Sequence, residues 1–168
     1  RPGNLSLEDL SYDGQFAALI DEISSPEIAA AVGGKFGIDL SECPTTITVR
    51  KFCEKSDGNN HTDHSSKVIT VLFYFNQDWS NDAGRLRMLR SNTDIEDYAA
   101  EVPPIGGTML AFLRTDHSWH GHKTFVGERR MLQLNFLRSD RLARIKQQID
   151  RFGTRTMKKA LRVLNPNA

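Results

Sequence analysis

The sequence predicts an α+β protein, with a core of antiparallel strands between helical ends. Three observations lead to this. Residues from about 45 to 137 break into short runs rich in β-branched and aromatic residues: TTITVRKFC, KVITVLFYFN, GRLRMLR, GTMLAFL, HGHKTFV and RRMLQLNFL. Clusters of Gly, Asn, Asp and Pro separate them, the texture of an antiparallel sandwich or barrel. Ahead of these runs, Phe16, Leu19, Ile20 and Ile23 recur at helical spacing. Behind them, Leu142, Ile145, Ile149 and Phe152 form one apolar stripe, Gly153 interrupts it, and Met157, Leu161 and Leu164 begin another. Helices on both sides of a β core suit an arrangement in which they buttress one sheet.

The first helix falls within the region 14–34, on its apolar spacing. The second begins in SSPEIAAAVGG, with Ser25 as N-cap, Pro26 at the first helical position and the Gly33–Gly34 pair as the expected stop. Within the core, the last run alternates clearly. Arg129, Met131, Gln133 and Asn135 share one face, and Arg130, Leu132, Leu134 and Phe136 share the other. The first face is polar enough to line a pocket, whereas the second reads as packing. On the run 67–76, Thr70, Leu72 and Tyr74 share a face.

At 168 residues the chain is expected to form one domain, 1–168, with helical support over 1–44, the β core over 45–137 and basic helices over 138–168. A hydrophobic content of 39% with 26% charged residues is that of a water-soluble globular protein. No apolar run approaches the roughly 18–20 residues that span a bilayer. Cys43 and Cys53 lack the spacing of a zinc site and read as reduced thiols in a reducing compartment, so the expected location is cytoplasmic. The chain opens on RPGNLSLEDL, the expected start of a fragment or processed chain. From Arg138 onward nine Lys/Arg face two Asp, a charge of +7, which leaves −6 on residues 1–137. That basic end reads as the solvated face of helices on an acidic body. A nucleic-acid partner is not expected, since no aromatic-basic surface accompanies it. Nothing in the sequence fixes an oligomeric state.

The stretch NNHTDHSS, residues 59–66, carries the chemistry. In an extended segment His61 and Asp63 project together while His64 faces away. An imidazole and a carboxylate two residues apart can take adjacent corners of one ion. A third ligand must come from a distant strand, and TDHSWHGHKTF offers His117, His120 and His122. Two His, one carboxylate and open positions form the ligand set of non-haem Fe(II) oxygenases. An arginine on the pocket face of the last run, which alternation makes Arg129 rather than Arg130, suits a carboxylate because its planar fork binds both oxygens. Tyr74 can donate its hydroxyl to the same carboxylate.

These pieces, in order, resemble the Fe(II)/2-oxoglutarate-dependent dioxygenases, and most of all the prolyl 4-hydroxylase branch that includes the hypoxia-factor prolyl hydroxylases. The likeness covers about residues 45–137: HTD, an aromatic strand ending in NQDW, a Gly opening the next strand, Phe112 eight residues before His120, and Arg129 nine residues after it. It implies an iron triad of His61, Asp63 and His120, with Arg129 and Tyr74 holding the 5-carboxylate of 2-oxoglutarate. Fe(II), 2-oxoglutarate and dioxygen are the implied cofactors, with ascorbate as an accessory reductant. The implied fold is a double-stranded β-helix, a jelly-roll (cupin-like) barrel with buttressing helices. The implied reaction hydroxylates a C–H bond and converts 2-oxoglutarate to succinate and CO2. A protein prolyl residue is the first substrate expected. The same chemistry on an amino acid, a sugar or a lipid-linked intermediate is the alternative, and a non-catalytic jelly-roll binding module is a second.

With His120 as the ligand, His122 is expected either beside the iron, touching its ligands or the substrate, or as an exposed polar residue, and His64 and His117 are expected to be solvated. Arg50, Lys51, Asn76, Arg87, Arg114 and Gln133 are expected around the pocket rim, and EKSDGNN, residues 54–60, as a substrate-gating loop. Two positions depart from the family. Lys51 stands ten before His61, where the prolyl hydroxylases often carry an aromatic residue of the cosubstrate pocket. Met131 stands two beyond Arg129, where a small or hydroxylated residue is usual.

Overall fold

The computed structural model describes residues 4–139. The helices expected over 138–168 therefore fall, beyond Ser139, outside the described residues. The order of elements is β1 (Leu5–Ser6), a 3-10 turn (Leu7–Asp9), α1 (Gly14–Ile23), α2 (Pro26–Phe36), β2 (Thr45–Cys53), β3 (Lys67–Tyr74), β4 (Leu86–Leu89), β5 (Tyr98–Val102), β6 (Met109–Leu113), β7 (His120–Gly121) and β8 (Gly127–Leu137). The strands form a five-stranded sheet ordered β1-β2-β8-β3-β6 and a three-stranded sheet ordered β5-β4-β7. Every strand pair within them is antiparallel. The described chain is thus mostly β, with two helices.

α2 starts as its sequence predicts. The Ser25 hydroxyl accepts from the backbone N–H of Ile28 at 3.3 Å, and Pro26 follows. It does not stop at Gly33–Gly34. The helix continues to Phe36 and ends at Gly37, whose φ of 67° favours glycine. Gly33 has another purpose: a Cβ there would run into the carbonyl oxygen of Ile38, so the missing side chain lets the returning chain lie against the helix.

The alternation of the large sheet sorts its two faces. Ile47, Ile69, Val71, Leu132, Leu134 and Phe136 point toward the helices and pack with Ile20, Ile23 and Val32 in one core. On the opposite face Leu72, Tyr74, Phe112 and Met131 join Leu86 of β4, so this second cluster ties the two sheets together. The polar residues of that inner face lie between the sheets, and it is there that the candidate site forms.

Two strands differ from expectation. β5, YAAEV, is a strand that the sequence pattern does not mark; its Ala and Glu residues are weak strand formers, and it holds by pairing with β4. HGHKTFV keeps only His120–Gly121 as strand, because His122 N–H turns to the carbonyl of Gly58, at 2.9 Å, instead of a ladder partner. In β2, Thr46, Thr48 and Arg50 stand opposite Asn135, Gln133 and Met131 on the inner face, and the pairing with β8 shifts register only beyond Arg50, before Phe52.

Candidate metal centre

His61 and His120 are brought together by main chain. His61 N–H donates to His120 O at 3.0 Å and His120 N–H to His61 O at 2.9 Å, an isolated antiparallel bridge between the segment before β3 and β7. Their rings lie 4.4 Å apart. Asp63, two residues along, points into the same space, and one ligand atom from each of the three lies within 4.8 Å of the others.

The hydrogen bonds around the imidazoles decide which nitrogen is available. His61 Nδ1 sits 2.7 Å from the carbonyl of Asn59, and His120 Nδ1 sits 2.9 Å from that of Ser118. A carbonyl only accepts, so each Nδ1 carries the hydrogen and each neutral ring offers its Nε2 lone pair. Burial holds His120 below the ordinary histidine range, although the Ser118 carbonyl opposes this, which favours the neutral, metal-binding ring.

Asp63 is buried. Its Oδ2 accepts from the Thr70 hydroxyl, and its Oδ1 pairs with Lys67 Nζ at 2.7 Å. Burial alone would raise its carboxyl. The charge and hydrogen bond of Lys67, with Thr70, outweigh that and leave it lowered, so the group is an anion at neutral pH. Arg114 does not stand at the rim as a free cation; its Nε donates to the backbone carbonyl of Asp63 at 3.0 Å. Two Nε2-presenting imidazoles and one anchored carboxylate form a donor set that fits a divalent transition metal such as Fe(II) with positions to spare. Lys67 was not visible as a neighbour of the site in the sequence. The one signal for it was a cation four residues beyond Asp63, a spacing that normally means only a solvated pair.

Behind the triad lies a cavity of about 120 Å³, lined among others by Thr70, Phe112, Arg129, Met131 and Gln133. Arg129 is 2% exposed. Its Nε donates to the Gly84 carbonyl at 2.8 Å, its Nη1 to Met131 Sδ at 3.0 Å and its Nη2 to the Tyr74 hydroxyl at 3.4 Å. Tyr74 is fully buried; burial raises its hydroxyl and the Arg129 charge counters only part of that, so it stays a protonated donor. Arg130 points out of the sheet, exposed and paired with Glu128 at 2.9 Å.

The remaining expected residues scatter. His64 is exposed and bonded to the Ser66 hydroxyl at 2.8 Å, and His117 is exposed. Lys51 is not at the pocket: its side chain is 79% exposed, because regular alternation along β2 puts Thr46, Thr48 and Arg50 on the inner face, opposite Asn135, Gln133 and Met131, and Lys51 on the other. Arg87 is buried between Glu101 and Glu96, at 2.6 and 3.0 Å, as a bridge across the small sheet. Asn76 accepts from Arg130 N–H at 2.8 Å outside the cavity. Segment 54–60 is tied down at several points, by Asp57 to Arg50 at 2.7 Å, Gly58 O to His122 N–H at 2.9 Å and Asn60 Nδ2 to Asn92 O at 3.1 Å.

His122 lines the cavity and is buried. Burial pushes its ring down to about 4; the Lys123 carbonyl opposes this, and Arg129 and Arg50 add to it. The unfolded ring titrates near 6.5, so between about 6.5 and 4 the unfolded chain binds the extra proton. Stability should fall as pH drops through that window, by about 3 kcal/mol in full, and be intact above it. Denaturant unfolding of metal-free wild type and His122→Gln at pH 7 and 4.5 checks this: the variant should lose less stability on acidification.

Comparison with known proteins adds independent findings. The profile of the 2OG-Fe(II) oxygenase superfamily matches residues 48–138, more than half of the chain. A prolyl-4-hydroxylase from Pseudomonas putida superposes with a TM-score of 0.54 at 18% identity, over 80% of this chain and 70% of that one. A prolyl 4-hydroxylase structure from Phytophthora capsici gives 0.55 at 15%, over 80% and 47%. The viral collagen prolyl hydroxylase of Paramecium Bursaria Chlorella virus-1, in complex with 2OG, gives 0.54 at 11%, over 80% and 79%. At these identities the superpositions speak for the fold. No match is found among curated proteins.

Proposed function

We propose a specific function from one premise: this chain belongs to the 2OG-Fe(II) oxygenase superfamily, the non-haem iron dioxygenases that use Fe(II) and 2-oxoglutarate. In this reading His61, Asp63 and His120 hold the iron, and Arg129 with Tyr74 anchors the far carboxylate of 2-oxoglutarate. The observation that carries it is the pair of imidazoles whose Nδ1 atoms are fixed on Asn59 and Ser118 carbonyls, which leaves Nε2 of each ring for a metal, in a cluster whose third member is the anchored Asp63 carboxylate. When bound, iron and 2-oxoglutarate supply the oxidising chemistry, with succinate and CO2 as products. The chain's own residues orient and shield. Lys67 and Thr70 fix the Asp63 carboxylate; Arg129 sets the depth and direction of the cosubstrate; Leu72, Phe112 and Met131 keep the cavity wall apolar.

The fold we assign to residues 45–137 is a double-stranded β-helix, supported by two antiparallel sheets with the cavity between them. The whole chain, 1–168, forms one oxygenase domain, with α1 and α2 on the outer face of the large sheet and the basic segment beyond. Among the described residues no helix is long and apolar enough to cross a membrane.

For the substrate, a prolyl residue of a protein is the first assignment, by likeness to the prolyl hydroxylases. One observation favours a small molecule instead: Arg50 and Met131 stand on the inner face of the large sheet, which adds charge and bulk to the pocket. The test is turnover. Protein loaded with Fe(II) should form succinate from 2-oxoglutarate, and screening peptide and metabolite pools should reveal a 2-oxoglutarate-dependent gain of one oxygen. Succinate formation equal to that of the Asp63→Ala variant would contradict the assignment.

A further inference from the structure

Arg50 occupies a place that counting back from His61 does not find. Ahead of the register shift in β2, Arg50 stands opposite Met131 of β8, and Arg129 lies two residues from Met131 on the same face. Both arginines line the cavity that the triad also lines. The Arg50 side chain is 14% exposed. Its Nε donates to Asn4 Oδ1 at 2.7 Å; its Nη1 meets Asp57 Oδ2 at 2.7 Å and Cys53 Sγ at 3.5 Å. Among the described residues no group accepts from its Nη2. Arg129, for its part, spends Nη1 on a thioether, a weak acceptor that a carboxylate oxygen readily replaces.

We propose that Arg50 is a second cosubstrate-binding arginine, holding the far carboxylate of 2-oxoglutarate jointly with Arg129, and that Asp57 tempers its charge. The inference rests on the function proposed above and adds a residue to it. A carboxylate has about four acceptor sites on two oxygens, enough for one donor edge from each of two arginines. Two guanidinium groups facing one cavity would repel each other when no anion is bound. Asp57, on the segment that leads to His61, offsets one of the two charges through Nη1 and does not engage Nη2 of Arg50. The arrangement selects a dicarboxylate: a 2-oxo acid without the far carboxylate offers no anion to Nη2 of Arg50 and leaves Nη1 of Arg129 on the weak Met131 acceptor.

Calorimetric titration of Mn(II)-loaded protein without dioxygen tests this with two probes, 2-oxoglutarate and 2-oxopentanoate. The second has the same carbon chain and 2-oxo acid but lacks the far carboxylate. Arg50→Met should weaken 2-oxoglutarate about tenfold, as expected for one charge-assisted hydrogen bond, and change 2-oxopentanoate by less than about twofold. Arg50→Lys should fall between Arg50→Met and wild type. Asp57→Asn should tighten 2-oxoglutarate a few-fold, since it removes an anion beside the binding guanidinium. A merely structural Arg50–Asp57 pair would weaken both probes in both variants, and that result overturns the inference; so does an Arg50→Met protein with unchanged 2-oxoglutarate affinity. Should Arg50→Met fail to fold, Asp57→Asn decides alone: tighter binding supports the inference, unchanged or weaker binding contradicts it. Failure of wild type to bind 2-oxoglutarate would instead overturn the proposed function.

Discussion

Asp63→Ala protein should lose Fe(II) affinity by more than about a hundredfold, beyond the roughly 10–100-fold typical of removing an outer-sphere partner alone. Asp63 is the one carboxylate among the three ligands, so the variant leaves two imidazoles and the Lys67 ammonium facing the incoming cation. The loss has a geometric part as well. Thr70 and Lys67 hold the carboxylate from two sides; without it Lys67 loses its partner and Thr70 keeps only the Asn135 Oδ1 acceptor at 3.3 Å. Asp63→Asn separates the parts, since the amide keeps the shape and removes the charge; it should bind more weakly than wild type and more tightly than alanine. Competition of Fe(II) with a chromogenic chelator reads the affinity. Thermal melting of the metal-free proteins checks that each variant folds.

Arg129→Met protein should bind 2-oxoglutarate about a hundredfold more weakly, while Arg130→Met stays within about twofold of wild type. Truncating one partner of a buried, hydrogen-bonded charge pair costs about 2–5 kcal/mol, because the other charge is left desolvated and unpaired. Arg129 meets that condition at 2% exposure, with Nη2 already directed at the Tyr74 hydroxyl. Arg130 does not, since it is exposed and paired with Glu128. Tyr74→Phe should cost only a few-fold, the size of one neutral hydrogen bond. Titration with 2-oxoglutarate under anaerobic conditions reads all three. The reverse order, with Arg130 carrying the affinity, would mean that β8 presents its other face to the ligand.

The strand that presents Arg129 was the most legible part of the chain. β8 alternates over its whole length because one side faces a polar cavity and the other faces the helices, so side-chain period and burial agree. α1 and the start of α2 were legible for a similar reason, through apolar spacing and the Ser25–Pro26 cap. The end of α2 was not. Gly33–Gly34 is a sound local stop signal, yet Gly33 is there for a close approach of the main chain, which only tertiary packing creates.

The site divides in the same way. Residue spacing pointed to His61 and Asp63 but left three histidines open as the third ligand; the backbone bridge that puts His120 beside His61 joins segments too far apart in the chain for periodicity to connect. Resemblance to a family supplied that link. Resemblance also misdirected attention to Lys51, because a count of ten from His61 runs through residues 54–60, which lie outside any strand and keep no two-residue period. Alternation within β2 itself, read from Thr46 and Thr48, puts Arg50 rather than Lys51 on the inner face, and the register shift lies beyond it. Lys67 was hidden for another reason: a Lys four residues after an Asp is ordinary on a surface, and only burial makes the pair part of the site.

The central claim is that His61, Asp63 and His120 form one iron centre that accepts 2-oxoglutarate beside it. The most direct measurement is the visible absorption spectrum of the protein under argon, with Fe(II) and then 2-oxoglutarate added. Wild type should develop a weak charge-transfer band that neither addition gives alone, and His61→Ala and Asp63→Ala should show none. Metal-loaded wild-type protein that gives no band with 2-oxoglutarate, or variants that give the band unchanged, would contradict the account.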